Sequence, residues 1–218
     1  MDNKNKIRNN FFIVYLLLSI GLNGQTSEDA KKLLDDVSSN LISFENLSFD
    51  FSYILENRQE NIRQETNGSA TISDNLYKII FLGNEQIFDG EKIYTIIPEN
   101  EEISISDPED SSEFGLLNPY ELFVFYKTGY AYQWDIKQSV KGVPIQYIKL
   151  IPSEENLEIK YLLLGIDLRS KLIYKLIEIG ESDTITTLTL KNIRSNLNLS
   201  QDFFSLDIDK YPDYYINN

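Results

Sequence analysis

Residues 47–55 read LSFDFSYIL, and this stretch decides the class of the fold. Leu47, Phe49, Phe51 and Tyr53 are large and apolar, whereas the residues between them are Ser, Asp and Ser. Successive side chains of a β-strand point to opposite faces of a sheet, so this alternation predicts a strand with one apolar face. We therefore expect a sheet whose one buried face forms the hydrophobic core of the protein.

Turn-forming residues divide the rest of the chain into short strands. Asp89-Gly90 is a strong hairpin signal, and Asp74-Asn75, Lys141-Gly142 and Arg169-Ser170 mark further turns. These connections are too short for parallel crossovers, which predicts an antiparallel meander of roughly ten or eleven strands. The predicted strands cover residues 47–55, 68–73, 76–82, 86–88, 92–97, 102–106, 133–138, 146–151, 158–167, 172–178 and 184–194. Residues 201–208 end the domain, and residues 211–218 are interpreted as a tail.

Two or three helices are predicted beside the strands, and two of them have clear bounds. The first covers Ser27 to Asn40, and its apolar residues recur at helical spacing, which gives one stripe that we expect to pack on the sheet. The second covers Tyr120 to Tyr126, with Asn118 as its cap and Pro119 at its first position. It is apolar on most sides and interrupts the strands, so we expect it to form a lid over an open part of the sheet.

The N-terminus has the pattern of a secretory signal peptide. Three basic residues precede the apolar run Phe11 to Ile20, which is followed by small and turn-forming residues up to Gly24. A transmembrane anchor is the alternative, but a bilayer needs roughly 20 apolar residues and this run is shorter. We expect residues 1–24 to be removed on export to the periplasm, which leaves residues 25–218 as a single soluble domain that begins at Gln25.

Composition narrows the possible chemistry. The chain has no cysteine and no histidine. Disulfides, thiolate metal sites, cysteine nucleophiles and Ser-His-Asp triads are therefore impossible. The whole chain has a formal net charge of −14, and because residues 1–24 contribute +2, the remainder carries −16. Nucleic-acid binding needs clustered Lys and Arg, so we expect no nucleic-acid partner.

The order of the elements favours one architecture over its alternatives. Many strands with one apolar face can form a sandwich, a closed barrel or a strongly curved open sheet. One continuous meander, interrupted by a lid and preceded by a helix, fits an open, strongly curved antiparallel sheet, an incomplete β-barrel, better than two facing sheets. A concave sheet that helices fill only partly would leave an apolar cavity.

Several motifs, taken in order, resemble the periplasmic outer-membrane lipoprotein carriers of the LolA family. After the N-terminal helix and LSFDFSY (47–53) come Gly68 and Leu76-Tyr77. Then follow IFDGEKIYTIIPENEEI (87–103), WDIKQ (134–138), YIKLIP (147–152) and DFFSLDID (202–209). Each motif is weak alone, and their order over nearly the whole exported chain makes the resemblance.

The resemblance implies an open barrel with a helical lid over an apolar cavity. It also implies a monomeric carrier without cofactor or metal, and without enzymatic activity. Such a carrier receives acylated lipoproteins from an inner-membrane transporter and delivers them to an outer-membrane acceptor. The acceptor of the same fold is lipid-anchored through a mature N-terminal cysteine, and this chain has no cysteine. The shuttle, rather than the anchored acceptor, is therefore expected.

One departure from the family concerns the lid. Family members carry an Arg in a Lys-Arg-Pro stretch that hydrogen-bonds the lid backbone, whereas the matching residues 73–78 contain no Arg. Lys78 lies nearby, but an ammonium does not reproduce a planar guanidinium, so no latch residue is predicted. The predicted cavity is lined by twelve apolar residues: Phe49, Phe51, Tyr53, Ile80, Ile93, Leu117, Leu122, Phe125, Ile148, Leu163, Ile177 and Leu188. Ordinary core packing is the alternative role for any one of them.

Two other functions remain open from the sequence. The first is a periplasmic module of the same fold that senses a lipid or lipoprotein and signals to a partner. The second is an enzyme, which without His or Cys would depend on carboxylates. Asp107, Glu109, Asp110 and Glu113 cluster in one loop, but such runs are usually solvated, and the spacing of a calcium-binding EF-hand is missing.

Overall fold

The computed structural model describes residues 27–108, 119–154 and 158–217. Within them, one α-helix, α1 (residues 27–42), precedes twelve strands. The strands are β1 (Leu47–Asn57), β2 (Ile62–Ser73), β3 (Leu76–Phe81), β4 (Asn84–Phe88), β5 (Ile93–Ile97), β6 (Glu102–Ser106), β7 (Tyr130–Val140), β8 (Val143–Pro152), β9 (Ile159–Asp167), β10 (Leu172–Gly180), β11 (Thr184–Ser195) and β12 (Tyr215–Asn217). Short 3₁₀ helices cover Pro98–Asn100, Glu121–Phe123, Phe125–Lys127 and Ile208–Lys210. In these ranges no helix is long and apolar enough to cross a membrane.

All twelve strands form one open sheet. Their order is β12-β6-β5-β4-β3-β2-β1-β11-β10-β9-β8-β7, and β12 and β7 are the two edges. Neighbouring strands are antiparallel, except that β12 runs parallel to β6. The first strand, β1, lies in the centre because it pairs with both β2 and β11. This arrangement confirms the predicted open antiparallel sheet.

The hairpin predicted at Asp89-Gly90 joins β4 to β5. One carboxylate oxygen of Asp89 accepts hydrogen bonds from the backbone N–H groups of Glu91 (2.9 Å) and Lys92 (2.8 Å). The other oxygen accepts the hydroxyl of Tyr94 at 2.9 Å. Gly90 has a φ of +102°, a conformation that favours glycine, so these local interactions fix the turn that the sequence indicated.

The main core lies between α1 and the face of the sheet that carries Leu47, Phe49 and Phe51, which we call the inner face. The predicted apolar stripe of α1 is fully buried there, as expected for a helix that packs on a sheet. Its members are Ala30, Leu33, Leu34, Val37 and Leu41.

A second core lies on the opposite, outer face of β3 to β6. The segment 197–217, which we call the C-terminal strap, crosses this face and packs Phe204, Leu206, Tyr211 and Tyr214 on a cluster of three buried isoleucines. The strap then adds β12 beside β6, with Ile216 paired to Ile103. The tail interpreted at residues 211–218 is therefore wrong for most of its length, since its residues gain burial and strand pairing from β6.

The lid also differs from its prediction. Instead of one helix over Tyr120 to Tyr126, the structure has two successive 3₁₀ turns, which with the preceding turn form what we call the lid segment (residues 119–127). Val124 separates the turns, with φ −129° and ψ −19°, outside the α-helical range. Aromatic and β-branched residues are modest helix formers, so packing on the sheet overrides the helical pattern.

Candidate functional site

The strand register decides which predicted cavity residues share a face. Antiparallel partners point to the same side of a sheet, and residues one apart point to opposite sides. Eight of the twelve predicted residues are brought together on the inner face or in the lid segment that covers it. The inner face carries Phe49, Phe51, Tyr53, Ile93, Ile148 and Leu188, and the lid segment carries Leu122 and Phe125.

Three predicted residues lie on the outer face instead. Ile80 pairs with Ser69 and Glu85 and is 46% exposed, whereas its neighbour Ile79 is buried on the inner face. Leu163 pairs with both Lys149 and Ile177 on the same outer side. These three residues do not line the inner face. Neighbouring residues of a strand point to opposite faces, so a prediction that is off by one residue selects a side chain on the wrong face. Leu117 lies outside the described residues.

Part of the inner face is closed by packing of the lid segment. The rings of Phe49 on β1 and Phe123 in the lid segment meet edge to face, with centroids 5.7 Å apart. Phe123, Tyr126 and Ile148 are almost completely buried. In this closed arrangement, lid side chains occupy the space that the sequence assigned to a cavity.

A second part of the inner face is only half-buried. Tyr53 and Phe81 meet with centroids 5.6 Å apart, and Phe125 of the lid segment meets Tyr130 of β7 at 5.9 Å. Glu178 points to the same face, since it pairs with Leu162 and Thr186. Burial, followed by the nearby Glu158 carboxylate, raises the pKa of Glu178. This strip therefore offers apolar rings beside one carboxyl that resists ionisation.

Two grooves flank the contact between α1 and the lid segment. The first, which we call the helix-end groove, has a volume of about 350 Å³. It is lined by Ser38, Leu41, Ile42, Phe44, Glu45, Asn46, Leu47, Ile72, Ser73, Asp74, Asn75, Tyr120, Val124 and Lys127. The second, which we call the Tyr126 groove, has a volume of about 380 Å³. It is lined by Lys31, Leu34, Asp35, Ser38, Ser39, Tyr126, Lys127 and Tyr132. Both volumes fall near the lower end of small-ligand pockets, about 300–1,000 Å³.

The lid segment is held to the sheet by a tyrosine that the sequence did not single out. The hydroxyl of Tyr132 on β7 donates a hydrogen bond to the backbone oxygen of Tyr126 at 2.8 Å. Lys78, near the matching position of the family's Arg, points to the outer face, where its ammonium pairs with Glu85 at 2.6 Å. The contact to the lid backbone therefore comes from the opposite half of the sheet.

Tyr126 itself is 1% exposed, and its hydroxyl has no hydrogen-bond partner among the described residues. Burial raises the pKa of this hydroxyl, and the negative charge of Asp35 adds to the effect. A buried hydroxyl without a partner costs about 1–3 kcal/mol. Closure of the lid segment is therefore favoured by apolar packing and opposed by one unpaired polar group.

A buried polar chain crosses the inner face over β3, β4 and β5. Tyr77 donates its hydroxyl to the side-chain oxygen of Gln86 at 3.1 Å, and Gln86 donates its amide to the hydroxyl of Thr95 at 3.1 Å. These hydrogen bonds satisfy one another in the core, so we interpret the chain as structural. In the parts of the chain that the structure covers, no group of three acidic side chains could hold a metal ion.

Comparison with known proteins relates the chain to others by structure and not by sequence. No protein-family model matches the sequence, and no curated protein is significantly similar to it. An uncharacterised conserved protein from Thermus thermophilus has a similar structure, with a TM-score of 0.58 and 13% identity over 86% of this chain and 98% of that one.

Two further structures are similar with lower TM-scores, and both belong to proteins whose superfamily or type is known. A LolA superfamily protein from Nitrosomonas europaea has a TM-score of 0.44 and 10% identity, over 82% of this chain and 98% of that one. The lipoprotein LppX from Mycobacterium tuberculosis has a TM-score of 0.48 and 12% identity, over 78% of this chain and 99% of that one. At these identities a likeness concerns the fold and not the function. The structure has an open sheet with a helix and a lid segment on its inner face, which is the arrangement that the order of motifs implied.

Proposed function

We propose that this protein binds the acyl chains of lipoproteins on the inner face of its sheet and carries them through the periplasm. The observation that carries the proposal is the lid segment. Its apolar side chains cover part of the inner face, and a groove borders the segment on each side. A segment that lies between two open grooves can move away without unfolding the strands beneath it.

Acyl chains can replace the lid side chains at a favourable free energy. Exposing an apolar side chain such as Phe123 costs about 1.5–3 kcal/mol, whereas each CH₂ group of a buried acyl chain contributes about 0.8 kcal/mol. A long chain therefore outweighs the displacement of two or three lid side chains. Phe49, Phe51 and Ile148 would then contact the ligand in place of the lid.

The proposal extends to the site of action and the partners. Residues 1–24 would direct export and be removed, and residues 25–218 would act as a single monomeric domain without cofactor or metal. An inner-membrane lipoprotein-releasing transporter would supply the cargo and an outer-membrane acceptor would take it. The order of motifs shared with the LolA family supports this role, and N-terminal sequencing of the exported protein tests the cleavage.

A direct test uses the protein purified from the periplasm after expression of the full chain. It is incubated with a detergent-solubilised triacylated lipoprotein, the detergent is removed, and the mixture is separated by size-exclusion chromatography. We expect a soluble one-to-one complex. Failure with several native lipoproteins would contradict the carrier role and favour the sensor function.

A pair of variants tests where the chains bind. Phe125→Glu places a charge in the half-buried strip of the inner face, and we expect it to abolish the complex. Leu82→Glu makes the same kind of change in an exposed turn and should leave the complex intact. If the complex survives Phe125→Glu in a protein with an unchanged circular dichroism spectrum, the inner face is not the binding site.

A further inference from the structure

The Tyr126 groove has a composition different from the apolar inner face. Its side chains include two ammonium groups (Lys31 and Lys127) and one carboxylate (Asp35), together with Ser38, Ser39 and the tyrosines 126 and 132. Nearly all of these groups donate hydrogen bonds, and the local charge is positive in a chain with a net charge of −14. A donor-rich, locally positive groove suits an anionic ligand with several acceptor oxygens.

The charged groups of the groove are not equally available. Lys31 is already paired with Asp35, at 2.7 Å. Lys127, by contrast, has no carboxylate within ion-pair distance among the described residues. Lys127 also lines both grooves.

The unpaired hydroxyl of Tyr126 is a second, independent indication of a ligand. Buried polar groups are nearly always hydrogen-bonded, so each exception needs a physical reason. Asp35 and Tyr132, which line the groove, are the two groups whose charges act on this hydroxyl. Tyr126 itself lines the groove beside Asp35 and Tyr132, so a shift of the lid segment would bring its buried hydroxyl into reach of a ligand.

We propose that the Tyr126 groove binds a phosphate group, with the Tyr126 hydroxyl as a donor and the Lys127 ammonium as the counter-charge. If the bound phosphate is part of a lipid, the inference rests on the proposed function. The acyl chain of that lipid would then lie on the inner face, beyond the lid segment. Free phosphate presents the same chemistry without a chain.

The test uses the only tryptophan of the chain, Trp134, as a native reporter. It lies two residues from Tyr132 on β7, on the same side of the strand. The full-length exported protein is titrated with lysophosphatidic acid, with a monoacylglycerol of the same chain length and with inorganic phosphate, and tryptophan fluorescence is followed. We expect lysophosphatidic acid to bind at least about tenfold more tightly than the monoacylglycerol, since hydrogen bonds to a charged group are stronger than hydrogen bonds between neutral groups.

Two variants test whether the preference for lysophosphatidic acid over the monoacylglycerol depends on the Tyr126 groove. Tyr126→Phe should remove most of it and, because the unpaired hydroxyl is gone, should also raise the melting temperature. If the hydroxyl had only a structural role, its removal would not raise the melting temperature and weaken phosphate binding at the same time. Lys127→Gln should reduce the same preference, whereas Tyr161→Phe, on the outer face beside Lys149, should change neither quantity.

The possible outcomes separate the two proposals. Equal affinity for both amphiphiles, or a preference that survives Tyr126→Phe and Lys127→Gln, overturns the phosphate site and leaves the carrier function standing. Binding of inorganic phosphate but of neither amphiphile supports the groove as an anion site and contradicts the carrier function. Binding of none of the three probes overturns both.

Discussion

The hydroxyl of Tyr132 donates a hydrogen bond to the backbone oxygen of Tyr126 over 2.8 Å, which ties the lid segment to β7 at the edge of the sheet. The side chain of Tyr126 points into the core, where its own hydroxyl has no partner among the described residues. The same residue thus contributes one polar interaction that holds the lid segment and one that opposes its closure.

Tyr132→Phe should loosen the lid segment without altering the sheet. The variant removes one hydrogen bond, so we expect the free energy of unfolding to fall by about 0.5–1.5 kcal/mol. Hydrogen exchange of the amides at residues 122–127 should accelerate, while exchange in β1 and β11 stays unchanged. Tyr161→Phe is the matched control, and identical exchange rates in both variants would contradict the proposed tie.

Gly68→Ala should destabilise the centre of the sheet. Gly68 lies opposite Phe51, and a Cβ at this position would collide with the ring of Phe51 and approach the backbone oxygen of Ile80 to 2.6 Å. Overpacking of this kind costs about 1–3 kcal/mol, which urea denaturation would measure. Ser69→Ala, one position along the same strand, should change the stability by less. A Gly68→Ala variant as stable as the natural protein would show that the aromatic ring moves away at no cost.

Stability should fall in alkaline solution, because tyrosine hydroxyls are buried. Burial raises the pKa of Tyr77 from 10.0 to about 12, and burial also raises that of Tyr126. Between these values the unfolded chain loses a proton that the folded chain retains. These two tyrosines therefore lower the free energy of unfolding as the pH rises, by up to about 1.4 kcal/mol per pH unit for each group, and they add no pH dependence well below pH 10.

Urea midpoints measured on either side of pH 10 test this expectation. Tyr77→Phe should give a shallower decrease than the natural chain, although its stability at neutral pH falls because Gln86 loses a hydrogen-bond partner. An unchanged slope in Tyr77→Phe would contradict a raised pKa at this residue.

Truncation after Lys210 should weaken one half of the sheet selectively. The change removes β12 together with Tyr211 and Tyr214, which pack on the outer face. Strand β6 then becomes an exposed edge, and exposed edges pair readily with other chains. We expect faster amide exchange in β5 and β6 and concentration-dependent association, with unchanged exchange in β8 to β10. Uniform destabilisation of all strands would show instead that the sheet unfolds as one unit.

The features that the sequence predicted well have local causes. The alternation at Leu47 to Tyr53, the turn at Asp89-Gly90 and the apolar stripe of α1 each depend on neighbouring residues, and the structure contains all three. The open antiparallel sheet followed from the many short connections. In the candidate site, eight of the twelve predicted residues lie on the inner face or in the lid segment, and their role in binding stays a prediction.

The sequence by itself therefore determined the strands, the turns and the open antiparallel class, because side-chain alternation and turn chemistry act over a few residues. Only the tertiary structure decided that Ile79 rather than Ile80 faces inward, since register depends on pairing between strands. Only packing decided that the lid segment forms two 3₁₀ turns and that the C-terminal strap covers β3 to β6. Likewise, the meeting of Tyr132 with Tyr126 joins β7 to the lid segment across the edge of the sheet, a contact that no local pattern encodes.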